Sequence, residues 1–214
     1  MRVLGVDPGL GRCGWAVLEG RGGRVGPVAY GTVHTEGEQV APRLATLAAQ
    51  LRQVLAAHRP EALAIERLFF NANVRTAMTV GQASGVVLLL AAEHGLEVSA
   101  YTPPQVKQAV TGSGSAPKEQ VGYMVKALLG LASAPAPADT ADALAVALCH
   151  LNHAGLAGLS AAGGTGGGAT GAAPVADWLA RAAPTSPGLR PAPARRAPGN
   201  PDGGAPAHQG GARR

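Results

Sequence analysis

MRVLGVDPGLGRCGWAVLEG, residues 1–20, carries the pattern that decides the fold. Residues 2–7 (RVLGVD) form an apolar run of strand type that ends on Asp7, and Pro8-Gly9 follows as turn chemistry. GWAVLEG (14–20) reads as a second strand and RVGPVAYGTVHT (24–35) as a third. Short Gly-rich connections predict that the three form an antiparallel meander. Asp7 then has two readings. It is the polar opening residue of a turn, bonding nearby backbone, or it is the first acid of a site at a strand end. The residues around it leave both open.

Working outward, residues 42–58 place Leu44, Leu47, Leu51, Val54 and Leu55 at helical spacing, with Pro42 suited to a first turn. EALAIER (61–67) is a short apolar strand closing on Glu66. Helical patterning resumes over about 75–95, and Gly95 suits a C-terminal cap. EVSAYTP (97–103) predicts a fifth strand. Pro103-Pro104 opens a short helix to about Val110, and KEQVGYMVKALLG (118–130) gives another that Gly130 stops. APAPA (134–138) is a stiff loop. DTADALAVALCHLNHAG (139–155) is the last helix, with Asp139 as N-cap and Gly155 past its end. Hairpin strands followed by crossover helices predict an α/β fold, a mixed five-stranded sheet with helices on both faces.

Composition changes near residue 155. Beyond it the chain is Ala, Gly, Pro and Arg with almost no large apolar side chains, too little to offset the entropy of ordering. Residues 1–155 are therefore expected to form the folded domain and 156–214 a disordered tail, with APVADWLARAA (173–183) a transient amphipathic helix around Trp178 and Leu179. Residues 1–150 hold 12 Lys+Arg against 11 Asp+Glu, while 151–214 hold six Arg against two Asp. The basic character of the chain lies mainly in the tail, which attracts polyanions without specificity. Cys13 and Cys149 form no metal-ligand spacing and no disulfide framework. The start runs directly into a strand with no signal-peptide pattern, and VVLLLAA (86–92) is too short to span a bilayer. These readings predict a cytoplasmic protein with no membrane partner.

Four acids stand where the local pattern is apolar. Asp7 and Glu66 end strands. Asp139 and Asp142 open a helix whose later positions, Ala143, Leu144, Val146, Leu148 and Leu151, are apolar all round, which marks a buried helix. Singly, each acid fits a turn, an ion pair with Arg67, or a helix cap lying in the favourable field of the dipole. Together, two strand ends and one helix start can converge on one point beyond the strand ends of a sheet. Clustered carboxylates raise one another's pKa unless a cation sits among them. Hard divalent ions prefer such oxygen ligands, and a pair of them can clamp both oxygens of a phosphodiester displacement.

VLGVDPGLGRCGWAV, AIERLFFNANVRTAMTVGQASG, YTPPQVKQAVTGSGSAPKEQV and DTADALAVALCH, taken in this order, resemble the RuvC family of crossover (Holliday) junction endonucleases, of ribonuclease-H-like fold. The resemblance spans about residues 1–155. It implies that Asp7, Glu66, Asp139 and Asp142 are catalytic, metal-binding acids for two Mg²⁺ ions, with Mn²⁺ as a substitute. It implies that Lys107 and Lys118 support binding and cleavage of the junction, and that Phe69 stacks on a base near the crossover. Phe70 beside it, in a chain with only two Phe, two Trp and three Tyr, and Asn73 and Arg75 on the same segment, are further candidate DNA contacts. TGSGSAP (111–117) has the composition of a mobile loop. The family works as a homodimer on four-way junction DNA. Part of the dimer contact is expected on GQASGVVLLLAA (81–92), with a RuvA junction-binding tetramer and a RuvB branch-migration motor as partners. The long tail departs from the family's compact form.

The resemblance implies resolution of four-way junctions by paired symmetric nicks in recombination and repair. Two other classes fit parts of the pattern: a non-catalytic junction-binding protein, and an actin-like ATPase domain. The latter also opens with strand, Asp and Gly-rich turn, but this chain has no second such loop and is short for two lobes.

Overall fold

The computed structural model describes residues 1–67, 74–162 and 173–174 of the 214. In chain order these are β1 (Arg2–Asp7), β2 (Arg12–Arg21), β3 (Arg24–His34), α1 (Val40–His58), β4 (Ala62–Glu66), α2 (Val74–Glu93), β5 (Glu97–Tyr101), α3 (Pro103–Thr111), α4 (Lys118–Leu129), α5 (Ala138–Ala162) and β6 (Ala173–Pro174). The sheet order is β3-β2-β1-β4-β5-β6. The β1–β2 and β2–β3 pairs are antiparallel, as the short Gly-rich connections require, and β1–β4 and β4–β5 are parallel.

Strand alternation divides the core in two. Leu4, Val6, Val17, Leu63 and Ile65 face α1 and α2, where Leu47, Leu51, Val87 and Leu90 are buried. Val3, Ala16, Leu18, Ala64 and Tyr101 face α3, α4 and α5. Residues 143–149 of α5 are at most 3 % exposed, so this helix is enclosed between the sheet and two other helices, as its apolar sequence requires. It lies close to the sheet because Gly5 on β1 has no side chain: a Cβ there would fall 2.3 Å from the Ala143 backbone oxygen.

The expected α/β architecture, mixed sheet and two helical faces are present. Some element ends shift by a residue or two, β2 beginning at Arg12 and α1 at Val40, and four further details differ from the sequence reading. Thr102 ends β5 early because its side chain joins Gln105 in a capping box, with Pro103 and Pro104 filling the first turn of α3. Asp139 lies within the first turn of α5, which begins at Ala138, and is not its N-cap. The same helix continues through Gly155 to Ala162, since one glycine costs a helix only about 1 kcal/mol. Finally, β6 adds a two-residue antiparallel strand to β5, Ala100 opposite Ala173 and Ser99 opposite Pro174, within the segment expected to lack structure. The rest of that tail, including most of 173–183, lies outside the described residues.

The α2 helix also corrects a reading. Its 18-residue window Thr76–Glu93 has mean hydropathy 1.3, long and apolar enough to cross a bilayer, which the seven residues 86–92 alone did not reveal. Here one side of it packs on the sheet through Ala83, Val87, Leu90 and Ala91. Met78 and Leu89 are exposed, at 62 % and 57 %.

Candidate metal-binding active site

The strand period of two decides where the acids point. On β1, Asp7 shares a face with Val3 and Gly5, the α5 side. On β4, Glu66 shares a face with Ala64, again the α5 side. The β1–β4 register pairs Val6 with Ile65, so Asp7 and Glu66 are the next residues along two adjacent parallel strands. Both carboxylates therefore leave the sheet at the C-terminal ends of its two central strands, under the start of α5. Asp7 and Glu66 line a cleft of about 370 Å³ with Asp142, Lys107, Lys118, Pro103, Val106, Val121 and Ala145. Asp139 does not line it, but its charge reaches Asp7.

Electrostatics report the crowding. The Asp7 carboxyl is pushed up to about 7, first by burial and then by the charges of Glu66, Asp142 and Asp139, with Lys118 opposing. Glu66 is also raised, by burial and by Asp142, against Lys118 and Lys107. Lys118 opens α4 and donates its Nζ to Asp142 Oδ2 at 2.6 Å. That bond chiefly holds its ammonium above the ordinary lysine value. Among the described residues, no three acidic, imidazole or thiol groups are already arranged around a single ion position. The donor set nevertheless suits a hard divalent cation. It is all carboxylate oxygen, half-enclosed, and burial together with repulsion among the acids holds Asp7 protonated to near neutrality, a cost that a cation would relieve. Burial holds both thiols, Cys13 and Cys149, up to about 12, so neither is a thiolate nucleophile.

Local hydrogen bonds order the start of the linker between the two lysines. Lys107 is on α3, and the segment 112–117 joins α3 to α4. The composition of that segment suits mobility, yet Thr111 Oγ1 donates to the Lys107 carbonyl and accepts from Ser113 N, and Gly114 N donates to Gln108 Oε1. Phe69, Phe70 and Asn73 lie outside the described residues, as does the side chain of Arg75. No ion pair joins Arg67 to Glu66 among the described residues.

Two contributors gave no sequence signal. The hydroxyls of Thr140 on α5 and Thr32 on β3 share a hydrogen bond at 2.8 Å, with Thr140 only 1 % exposed. Neither threonine stands out as a side chain, and their separation in sequence hides the pair. Thr140→Val keeps the shape and removes the hydroxyl. It is expected to cost about 1 kcal/mol, seen as a lower urea midpoint with an unchanged slope. A midpoint equal to wild type would show that the bond contributes nothing.

A mixed sheet that gathers carboxylates at the ends of its first and fourth strands defines the class as ribonuclease-H-like. Comparison with known proteins agrees. The family model of "Crossover junction endodeoxyribonuclease RuvC" matches residues 3–150. The RuvC of Moorella thermoacetica is 52% identical over 155 residues, covering 72% of this chain and 93% of that protein. That of Frankia alni is 49% identical over 196 residues, 91% of this chain and 90% of the other, so its match runs past Ala162 into the tail. The structure of Thermus thermophilus RuvC in complex with Holliday junction substrate superposes with a TM-score of 0.70 at 42% identity, covering 73% of this chain and 96% of that one. The chain belongs to the RuvC family of crossover junction endodeoxyribonucleases.

Proposed function

We propose that this protein resolves Holliday junctions by hydrolysing two phosphodiesters, one in each of two like strands, with Asp7, Glu66, Asp142 and Asp139 as its catalytic acids. The observation that carries this reading is the shared cleft. Two strand-end carboxylates and one helix carboxylate line it together with two lysines, inside a fold 42% identical to a RuvC whose structure holds junction DNA. Asp7, Glu66 and Asp142 would hold divalent cations, two of Mg²⁺ in our reading with Mn²⁺ as substitute, and Asp139 would support them from beside the cleft. Bound there, such ions supply a more acidic water and charge stabilisation at the leaving oxygen.

The residues of the chain do the rest. Lys118 and Lys107, on the rim, attract and orient the scissile phosphate. Val106, Val121 and Ala145 give the cleft an apolar wall on the helical side. Phe69 and Phe70 remain our candidates for stacking on bases at the crossover, and Asn73 and Arg75 for phosphate contacts.

Two nicks in like strands require two sites related by a two-fold axis, so we read the working unit as a homodimer. The exposed Met78 and Leu89 of α2 support a contact on that helix. A RuvA tetramer and a RuvB motor would act on the same junction. Two free, buried cysteines support a reducing compartment, the cytoplasm.

The test is a synthetic four-way junction with a homologous core, incubated with Mg²⁺ beside a linear duplex of the same sequence. Paired nicks at symmetric positions, ligatable and absent from the duplex, are the expected result. Binding without nicks would favour the non-catalytic reading, and equal cutting of the duplex would remove junction selectivity.

A further inference from the structure

A single row across the sheet lies under the first turn of α5. Asp7 on β1 pairs with Gly14 on β2, and Gly14 pairs with Thr32 on β3. A Cβ built on Gly14 would fall 1.9 Å from the backbone oxygen of Asp139 and 2.4 Å from its carbonyl carbon. These are main-chain atoms of a helix, and no rotamer change moves them aside. One strand further on, the hydroxyl pair of Thr32 and Thr140 holds the same helical turn down on the sheet. The turn that carries Asp139, and that leads one residue past Ala141 to Asp142, thus rests directly on the missing side chain beside Asp7.

We propose that Gly14 is a positioning residue of the acid cleft: lacking a side chain, it sets the height at which α5 presents Asp139 and Asp142 to Asp7. This rests on the reading of those acids as the cation-binding set. Any larger residue at 14 must lift the helix start by a sizeable part of the overlap. Ligand sets for small divalent ions do not tolerate such a shift, because their distances are fixed near 2.1 Å.

Gly20 supplies an internal control. It sits on the same strand under the far part of the same helix, but a Cβ there meets only the flexible tip of Leu151, at 3.0 Å. Gly14→Ala and Gly20→Ala therefore press on one helix at two ends. Mn²⁺ binding to the DNA-free protein, followed by electron paramagnetic resonance of the free ion, is measured with junction binding in EDTA and with nicking rate against Mn²⁺ concentration. Gly14→Ala is expected to bind Mn²⁺ about tenfold or more weakly, as loss of support around metal ligands does. Its nicking should need correspondingly more Mn²⁺, while its junction affinity in EDTA stays at the wild-type value. Gly20→Ala should match wild type in all three.

The proposal is overturned if Gly14→Ala binds Mn²⁺ as wild type does, or if Gly20→Ala weakens binding equally. If Gly14→Ala does not fold, Thr32→Val releases the same turn without an overlap. A several-fold loss of Mn²⁺ affinity then supports the proposal, and unchanged affinity overturns it. Wild-type protein that neither binds Mn²⁺ nor nicks a junction would instead sink the reading of the acids.

Discussion

Asp7→Asn is expected to abolish junction cleavage and, in the absence of metal at pH 8, to raise the melting temperature. The two effects have one cause. The Asp7 carboxyl is lifted from 3.8 to about 7 by burial and by three neighbouring acids. A folded-state value above the unfolded one means that the native protein holds its proton longer. Stability then falls as pH rises from about 4 through about 7, and the whole penalty is present above that window. At about 1.4 kcal/mol per unit this is on the order of 4 kcal/mol. Asparagine has no charge to bury and removes the penalty. Even a gain of about 1 kcal/mol raises the melting temperature by roughly 3 °C in a protein of this size. With divalent ions present the sign reverses, because wild type gains binding energy that the variant lacks. Removing one cation-binding acid forfeits several kcal/mol of transition-state stabilisation, about 10³-fold or more in rate. Melting curves in EDTA and in Mg²⁺, beside single-turnover nicking assays, check both halves. An Asn variant that is less stable in EDTA and still cuts would contradict the assignment.

Lys118→Met should lower the nicking rate by about 10² to 10³-fold while leaving the fold intact, the usual cost of deleting one preplaced electrostatic group. The side chain of Lys118 is 61 % exposed, so its loss opens no cavity in the core. It is also the single ammonium bonded to Asp142. Without it, Asp142 loses its only recorded ion-pair partner among the described residues, and both Asp7 and Glu66 lose a favourable charge. The metal-free variant should therefore need a higher pH to ionise Asp7, visible in EDTA as an alkaline shift of the pH–stability profile. A profile and rate like those of wild type would place Lys118 outside the reaction.

Much of the fold was legible because it rests on local rules. Short apolar runs bounded by Gly and Pro gave β1 to β5. Helical spacing of Leu47, Leu51, Val54 and Leu55 gave α1, and the all-round apolar sequence after Asp142 gave the buried α5. The strand ends at Asp7 and Glu66 were legible for the same reason. What escaped depends on contacts between distant residues. Asp139 looked like a cap because Pro137 before it obscured the helix start, and Gly155 looked like a stop because a lone glycine is only a weak breaker. The β6 strand is two residues long and leaves no periodicity to read. The 2.6 Å pair of Lys118 and Asp142 joins two helices, and the close approach of Gly14 to Asp139 joins a strand to a helix. The buried bond between Tyr101 and His150, at 2.9 Å, is of the same kind. A glycine inside a strand hints at close backbone approach, but the sequence reading starts the second strand at Gly14, whereas β2 begins at Arg12, so Gly14 did not read as an interior strand residue.

The most direct measurement of the central claim is anomalous diffraction from crystals of this protein soaked in Mn²⁺. Anomalous density inside the cleft, within ligand distance of carboxylate oxygens of Asp7, Glu66 and Asp142 and with Lys118 moved off Asp142, is the predicted result. Mn²⁺ bound only elsewhere, with the Lys118–Asp142 pair intact at saturating metal, would contradict it.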